Sequence, residues 1–149
     1  MNYDLAPYSF LKVANIEHKG PICVMDAQCA LCAWGARWIS RGDKRYRFRI
    51  VPLQSEKGRL LMDHYGMDAD DPASWLLLQA GIGYSASDAV IRTAGELGGL
   101  WRIFVVFRLI PRQLLDTLYY LIARHRIRWF GRTDLCALPD PEIQKRLLQ

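Results

Sequence analysis

Pro21-Ile22-Cys23-Val24-Met25-Asp26-Ala27-Gln28-Cys29-Ala30-Leu31-Cys32 decides how the rest of the chain is read. A short apolar run ends at a carboxylate, and a Cys-x-x-Cys pair follows where Ala33 to Ile39 continue a helical pattern up to Ser40-Arg41-Gly42-Asp43. Ile22 to Met25 leave no polar side, as expected of a central strand covered on both faces, which makes Cys23 a core thiol. On a first helical turn, residues at i and i+3 share a face with Cα atoms about 5–6 Å apart, a gap a disulfide spans. Cys29 then meets the unpaired N–H groups at the positive end of the helix, which stabilise a thiolate. It is the expected nucleophile, with Cys32, one turn deeper, the resolving thiol. Ala30 and Leu31 supply no charge, so the helix end is the expected main source of activation. This chemistry requires both sulfurs on one face and the first one reachable from solvent.

Asp26 acts against a thiolate if it is close, because a carboxylate raises a neighbouring thiol's pKa. Two uses remain open for it: accepting hydrogen bonds at the loop–helix junction, or serving as the base that deprotonates Cys32.

Outward from this stretch, Tyr46 to Leu53 alternates apolar residues with arginines and closes on Pro52, the pattern of a half-buried edge strand. Ser55 is positioned to cap a helix running through Leu60, Leu61 and Met62 to Gly66. Trp75 to Gln79 reads as a third strand, and Gly81 and Gly83 let the chain return in a short fourth strand around Tyr84. Ser85 or Ser87 then caps a helix to Leu97, stopped by Gly98-Gly99. The order βαβαββα predicts an α/β, thioredoxin-like fold with a four-stranded mixed sheet, its first two strands parallel neighbours.

Leu100 to Ile110 is apolar on nearly every side except Arg102 and Arg108, and is too short for the roughly 20 residues that cross a bilayer. Pro111 suits the first turn of a further helix, in which Leu114, Leu115, Leu118, Leu121 and Ile122 recur at helical spacing. Two packed C-terminal helices covering the sheet or the dithiol are expected. An interfacial membrane contact is the disfavoured alternative. The expected organisation is an N-terminal arm at 1–19, a domain at 20–137 and a tail at 138–149 with a short helix after Pro141.

The dithiol stretch resembles the signature of the DCC family, predicted thiol-disulfide oxidoreductases of thioredoxin-like fold named for an Asp-x-x-Cys-x-x-Cys motif, here Asp26, Cys29 and Cys32. Ser87-Asp88-Ala89 after the hairpin and the run Arg124-His125-Arg126 to Phe130-Gly131-Arg132, ending at Cys136, are similar to the same family. The resemblance implies accessory roles for Ser87, Asp88, Arg132 and Cys136. Arg132 would stabilise the Cys29 thiolate if brought near, and is otherwise a surface arginine. Cys136 is either a third redox thiol or a packing residue. Thioredoxins also place a cis-proline just before the third strand, where this chain has Ser74, with Pro72 further upstream.

At 149 residues the chain suits one domain, able to bury about 68–70% of its unfolded surface without a disulfide framework. Four clustered cysteines therefore point to redox or metal chemistry. No basic and apolar leader opens at Met1, so a cytoplasmic, reducing setting is expected. A net charge of +5 permits polyanion binding. Arg124, Arg126, Arg128 and Arg132 beside Trp129 and Phe130 read as a solvated helix end, with no nucleic-acid partner expected. The expected partners are a disulfide-bearing protein or small molecule and an unidentified electron donor. The dithiol is itself the redox group, so neither cofactor nor metal is called for. Two rivals stand beside this reading. One is structural zinc held by Cys29, Cys32 and Cys136 with Cys23, His18, His64 or His125, although no second ligand pair at zinc spacing is present. The other is a thioredoxin-like interaction module with a vestigial dithiol.

Overall fold

The computed structural model describes residues 20–70 and 75–148. The arm at 1–19, with His18, and the Pro72 and Ser74 positions before the third strand lie outside the described residues. Strand β1 (Ile22–Met25) is followed by helix α1 (Ala30–Gly42), strand β2 (Arg49–Pro52) and helix α2 (Glu56–His64). A hairpin of β3 (Leu76–Gln79) and β4 (Ile82–Ser85) leads into helix α3 (Ala86–Leu97). A 3-10 segment (Gly99–Leu109) then precedes helices α4 (Arg112–Phe130) and α5 (Pro141–Gln144). The sheet order is β2-β1-β3-β4. β1 runs parallel to β2 and antiparallel to β3, with Cys23 opposite Ile50 and Leu77. This is the expected α/β architecture with a four-stranded mixed sheet, consistent with a thioredoxin-like fold.

Strand periodicity sorts the apolar residues into two cores. Ile22, Val24, Leu76 and Leu78 point to the face covered by α2, where Leu61, Met62 and Tyr65 meet them. Cys23, Met25 and Leu77 point to the opposite face, against Ala36 and Ile39 of α1 and Ala89 and Ala94 of α3. All four residues of β1 are buried, which accounts for its lack of a polar side. Gly58 lets α2 approach β2 closely: a Cβ there would lie 2.2 Å from the Pro52 carbonyl oxygen.

Several boundaries differ from the sequence expectation for local reasons. β2 begins at Arg49 rather than Tyr46, because Asp43 draws the preceding residues into a turn. Its carboxylate accepts from the Arg47 and Phe48 N–H groups, and Tyr46 has φ 54°. Ser55 caps α2 through a bond from the Gly58 N–H at 3.1 Å, as its position suggested. Ser85, not Ser87, is the N-cap residue of α3, and its side chain makes no capping bond. Pro111 precedes α4 as its N-cap residue rather than lying in its first turn.

Of the two packed helices expected after Leu100, the first is instead an 11-residue 3-10 segment. Neither it nor α4 has a fully buried residue, but Trp101 and Phe104 pack against the core beside Trp38, and Tyr119, Ile122 and Arg126 of α4 line the dithiol cavity. The segment after Pro139, by contrast, is well anchored. Ile50 N–H donates to the Arg146 carbonyl and Leu148 N–H to the Ile50 carbonyl, both at 2.8 Å, so this segment pairs with β2. The Arg146 side chain is 1% exposed; it reaches the Asp43 carboxylate at 3.4 Å and donates to the Asp43 carbonyl at 2.8 Å.

Candidate active site around the dithiol

Cys29 is the N-cap residue of α1, with extended backbone (φ −102°, ψ 124°), and Cys32 lies in the first turn. The two sulfurs face one another as thiols. Cys29 is lowered to about 6. The largest cause is hydrogen bonding from the Cys32 thiol; burial opposes it, and the backbone amides of Cys32 and Leu31 and the charge of Arg126 reinforce it. Helix-end activation is thus present but second to the partner thiol. At pH 7 such a group is about 90% thiolate, against a few per cent for an ordinary cysteine. Cys32 is pushed strongly up, first by hydrogen bonding to Cys29, then by burial and by the Cys29 charge. One negative charge is therefore shared by the pair and rests on Cys29.

The expectation that Cys29 meets solvent is overturned: its exposure is 0%, while Cys32 is partly exposed. The cause lies about a hundred residues away in sequence. After α4, Gly131 takes φ 84° and the chain returns across the motif loop. Arg132 bridges Cys29 in antiparallel fashion. Ala30 N–H donates to the Gly131 carbonyl (3.3 Å), Thr133 N–H to Gln28 (3.1 Å) and Leu135 N–H to Ala27 (2.8 Å). This strap passes directly over the first cysteine.

Asp26 sits at the junction of β1 and α1. Its Oδ1 accepts from the Gln28 N–H (2.9 Å) and Gln54 Nε2 (2.8 Å), and its Oδ2 pairs with an Arg126 Nη at 3.2 Å. Arg126 is the functional residue that sequence reasoning placed wrongly. It is not part of a solvated helix end; it turns inward, with a side chain only 15% exposed. Its signal was the helical spacing of Tyr119, Ile122 and Arg126, which puts it on the inner face of α4 while Arg124 and Arg128 stay exposed. Arg132 is beside Cys29 through its backbone, but its side chain is exposed, and the arginine whose charge acts on Cys29 is Arg126.

Ser87 and Asp88 do not line the dithiol cavity. The Ser87 hydroxyl donates to Asp116, tying α3 to the helix that carries Arg126, whereas Asp88 pairs with Arg92 within α3 at 3.1 Å. Cys136 is half-buried against the same core as Cys32, and its N–H donates to Asp134 Oδ1 at 3.0 Å. Cys23 is fully buried and raised to about 12 by that burial. Among the described residues, no group of three or more His, Cys, Asp or Glu side chains is placed to hold a metal ion.

A cavity of about 170 Å³ opens beside Cys32, between α1, the sheet and α4. Its wall is mainly apolar: Met25, Leu31, Trp34, Trp75, Tyr119 and Ile122 line it, with Asp26 and Arg126 as the polar end. Cys32 lines this cavity and Cys29 does not.

The family model for DCC1-like thiol-disulfide oxidoreductases matches residues 23–132. The chain belongs to that family. Among its relatives, the Bacillus subtilis uncharacterized protein YuxK is 35% identical over 127 residues, covering 85% of this chain and 93% of that protein. The Arabidopsis thaliana DCC family protein At1g52590, chloroplastic, is 32% identical over 123 residues, covering 82% of this chain and 72% of that protein. No solved structure matches. The match takes in Asp26, Cys29, Cys32, Arg126 and the start of the strap, so the family's redox character falls on the part of the chain that builds the dithiol. Among the described residues, no helix is long and apolar enough to cross a membrane.

Proposed function

We propose that the protein is a dithiol-dependent disulfide reductase in which Cys29 attacks and Cys32 resolves. The observation that carries this reading is the shared charge of the pair, which makes Cys29 a thiolate near neutral pH while Cys32 keeps its proton. In the first step the Cys29 thiolate displaces one sulfur of a substrate disulfide, forming a mixed disulfide and releasing a thiolate. That step consumes the charge on Cys29, the chief reason Cys32 held its proton, so the Cys32 pKa falls as its turn to react arrives. Arg126 favours the new thiolate, and in this reading Asp26, which lines the same cavity, takes the proton. Cys32 then attacks Cys29, releasing the second substrate thiol and leaving a Cys29–Cys32 disulfide. A dithiol reductant returns both cysteines to thiols. A cytoplasmic setting, where such a reductant keeps dithiols reduced, goes with this reading.

The buried Cys29 adds a requirement: exchange at that sulfur takes place with the 131–133 strap lifted. The cavity supports a substrate class as well. A void of about 150 Å³ holds one benzene ring, so a disulfide bearing an apolar group of about that size next to sulfur fits best. A second reading rests on Cys32 lining the cavity alone: the substrate enters there and Cys32 forms the mixed disulfide.

Trapping with a disulfide probe followed by peptide mass mapping separates these readings. Cys32→Ser holding the probe on Cys29 supports attack by Cys29. Cys29→Ser holding it on Cys32 instead supports the second order. Equal disulfide reduction by wild type and both variants rejects the reductase altogether, leaving the interaction module. Stoichiometric thiolate-bound zinc in protein purified without chelator would reject it in favour of the structural metal site.

A further inference from the structure

Residues 99–132 differ from the rest of the chain in both charge and exposure. They contain seven arginines and one acidic residue, Asp116, whereas the remainder holds thirteen Lys and Arg against fourteen Asp and Glu. All the net positive charge of the protein therefore resides in this one stretch. Six of its arginines, 102, 108, 112, 124, 128 and 132, are exposed; the seventh is Arg126 in the dithiol site.

The same stretch carries most of the exposed large apolar side chains, and they are ordered. In a 3-10 helix residues three apart eclipse one another. Leu100, Ile103, Val106 and Leu109 follow that spacing and are 86%, 65%, 58% and 85% exposed. In α4, Leu114, Leu118, Leu121 and Trp129 are all exposed and, at about 100° per residue, fall on a face next to the one that carries Tyr119, Ile122 and Arg126. His125, between them, stacks on Trp129 at 4.9 Å. One face of α4 thus lines the cavity, and a neighbouring face carries exposed apolar side chains, as the 3-10 segment does.

We propose that this face binds the surface of an anionic lipid bilayer, with the Leu100–Leu109 and Leu114–Trp129 stripes entering the interface and the flanking arginines meeting lipid phosphates. Charge selects this occupant. A second copy of the chain would bring two strongly positive faces together. The segment at 1–19 has two lysines against Asp4 and Glu17 and offers no complementary charge. Nucleic acid matches the charge but not the aliphatic stripes, which have no base-stacking role. A basic, apolar-faced surface, with the 3-10 segment too short and α4 too charged to span, fits an interfacial mode, with the apolar face about 5–10 Å into the headgroup boundary. Since the cavity lies against a neighbouring face of the same helix, which is about 10–12 Å across, the dithiol would lie close to the bilayer.

The test is flotation of the full chain with vesicles of phosphatidylcholine alone and of phosphatidylcholine with phosphatidylglycerol, at low and high salt. Binding is expected only with phosphatidylglycerol, falling as salt shortens the screening length from about 10 Å at 0.1 M to about 3 Å at 1 M. Each lost arginine contact lowers the partition coefficient by about fivefold. Arg102→Glu with Arg108→Glu should therefore reduce binding by at least about 25-fold. Leu100→Ser with Leu109→Ser should abolish it, while circular dichroism and disulfide reduction stay at wild-type levels. Sedimentation velocity and an RNA-binding assay run alongside. Wild type that ignores phosphatidylglycerol overturns the proposal. So does equal binding by both double variants, a dimer that the leucine substitutions dissociate, or retention on RNA alone. None of these outcomes bears on Cys29, so the proposal and the reductase reading fail separately.

Discussion

The sheet with its dithiol and the stretch from Gly99 to Phe130 place similar apolar residues in opposite surroundings. Every residue of β1 is buried, and its neighbours divide cleanly between two cores. In the 3-10 segment and α4 no residue is buried, although leucine, isoleucine, phenylalanine and valine abound. The first region gains its stability from removing apolar surface from water. The second packs only in part, with Trp101 and Phe104 against Trp38 and Tyr119 and Ile122 on the cavity. It is tied by Ser87 to Asp116 and Arg126 to Asp26, and leaves most of its other large apolar side chains exposed. Apolar content alone therefore does not say where a segment sits; the partners facing it do.

Substitutions sharpen this contrast. The largest effect on stability is expected at Arg146, where Arg146→Ala leaves the buried Asp43 carboxylate without its counter-charge. Removing one partner of a buried pair costs about 3–5 kcal/mol, read as a loss in the denaturant midpoint. Leu76→Ala in the fully buried β3 should cost about 2–5 kcal/mol, whereas Leu118→Ala on the outer face of α4 should stay within about 0.5 kcal/mol. Equal costs at Leu76 and Leu118 would break the comparison.

A smaller effect separates the arginines. Arg126→Gln should raise the Cys29 pKa and slow exchange near pH 6 by a few-fold, while Arg132→Gln, with its exposed side chain, should leave both unchanged; pH–rate profiles of the two variants decide. Linkage gives a further sign to check. Folded Cys29 loses its proton near 6, and the unfolded thiol does so near 9. Between those values the unfolded chain holds the extra proton, so the contribution of Cys29 grows as pH rises through this window, is complete above it and is lost as pH falls through 6. Cys23 acts oppositely: raised to about 12, it contributes stability below 9 that is lost as pH rises toward 12. Wild type and Cys29→Ser should therefore diverge in stability between pH 6 and 9, a difference that denaturant melts at the two ends measure.

Local patterns were sufficient where the chain folds on itself at short range. The apolar run before Cys29, the glycine-marked hairpin and the Ser55 cap were all legible, because the period, turn or cap lies within a few residues. Residues matched across long range were not. Gly131 and Arg132 lie about a hundred positions from the loop they cover, and nothing near Cys29 announces that its sulfur will be roofed. Arg126 disappeared into a run of arginines, although the inward spacing of Tyr119 and Ile122 marked its side of the helix. From Leu100 onward uniform apolarity gives no period, so Trp101 and Phe104, which pack on the core, could not be told from Leu100, Ile103, Val106 and Leu109, which are exposed.

The central claim is that Cys29, under its strap, is a thiolate at neutral pH with Cys32 as the proton donor that keeps it so. Its most direct test is the pH dependence of alkylation in the reduced native protein, mapped peptide by peptide so that the Cys29 signal is separated from Cys23, Cys32 and Cys136. The account predicts a Cys29 midpoint near 6, shifting upward in Arg126→Gln. A Cys29 midpoint near the ordinary thiol value of about 9, or no modification at Cys29 short of unfolding, would contradict it.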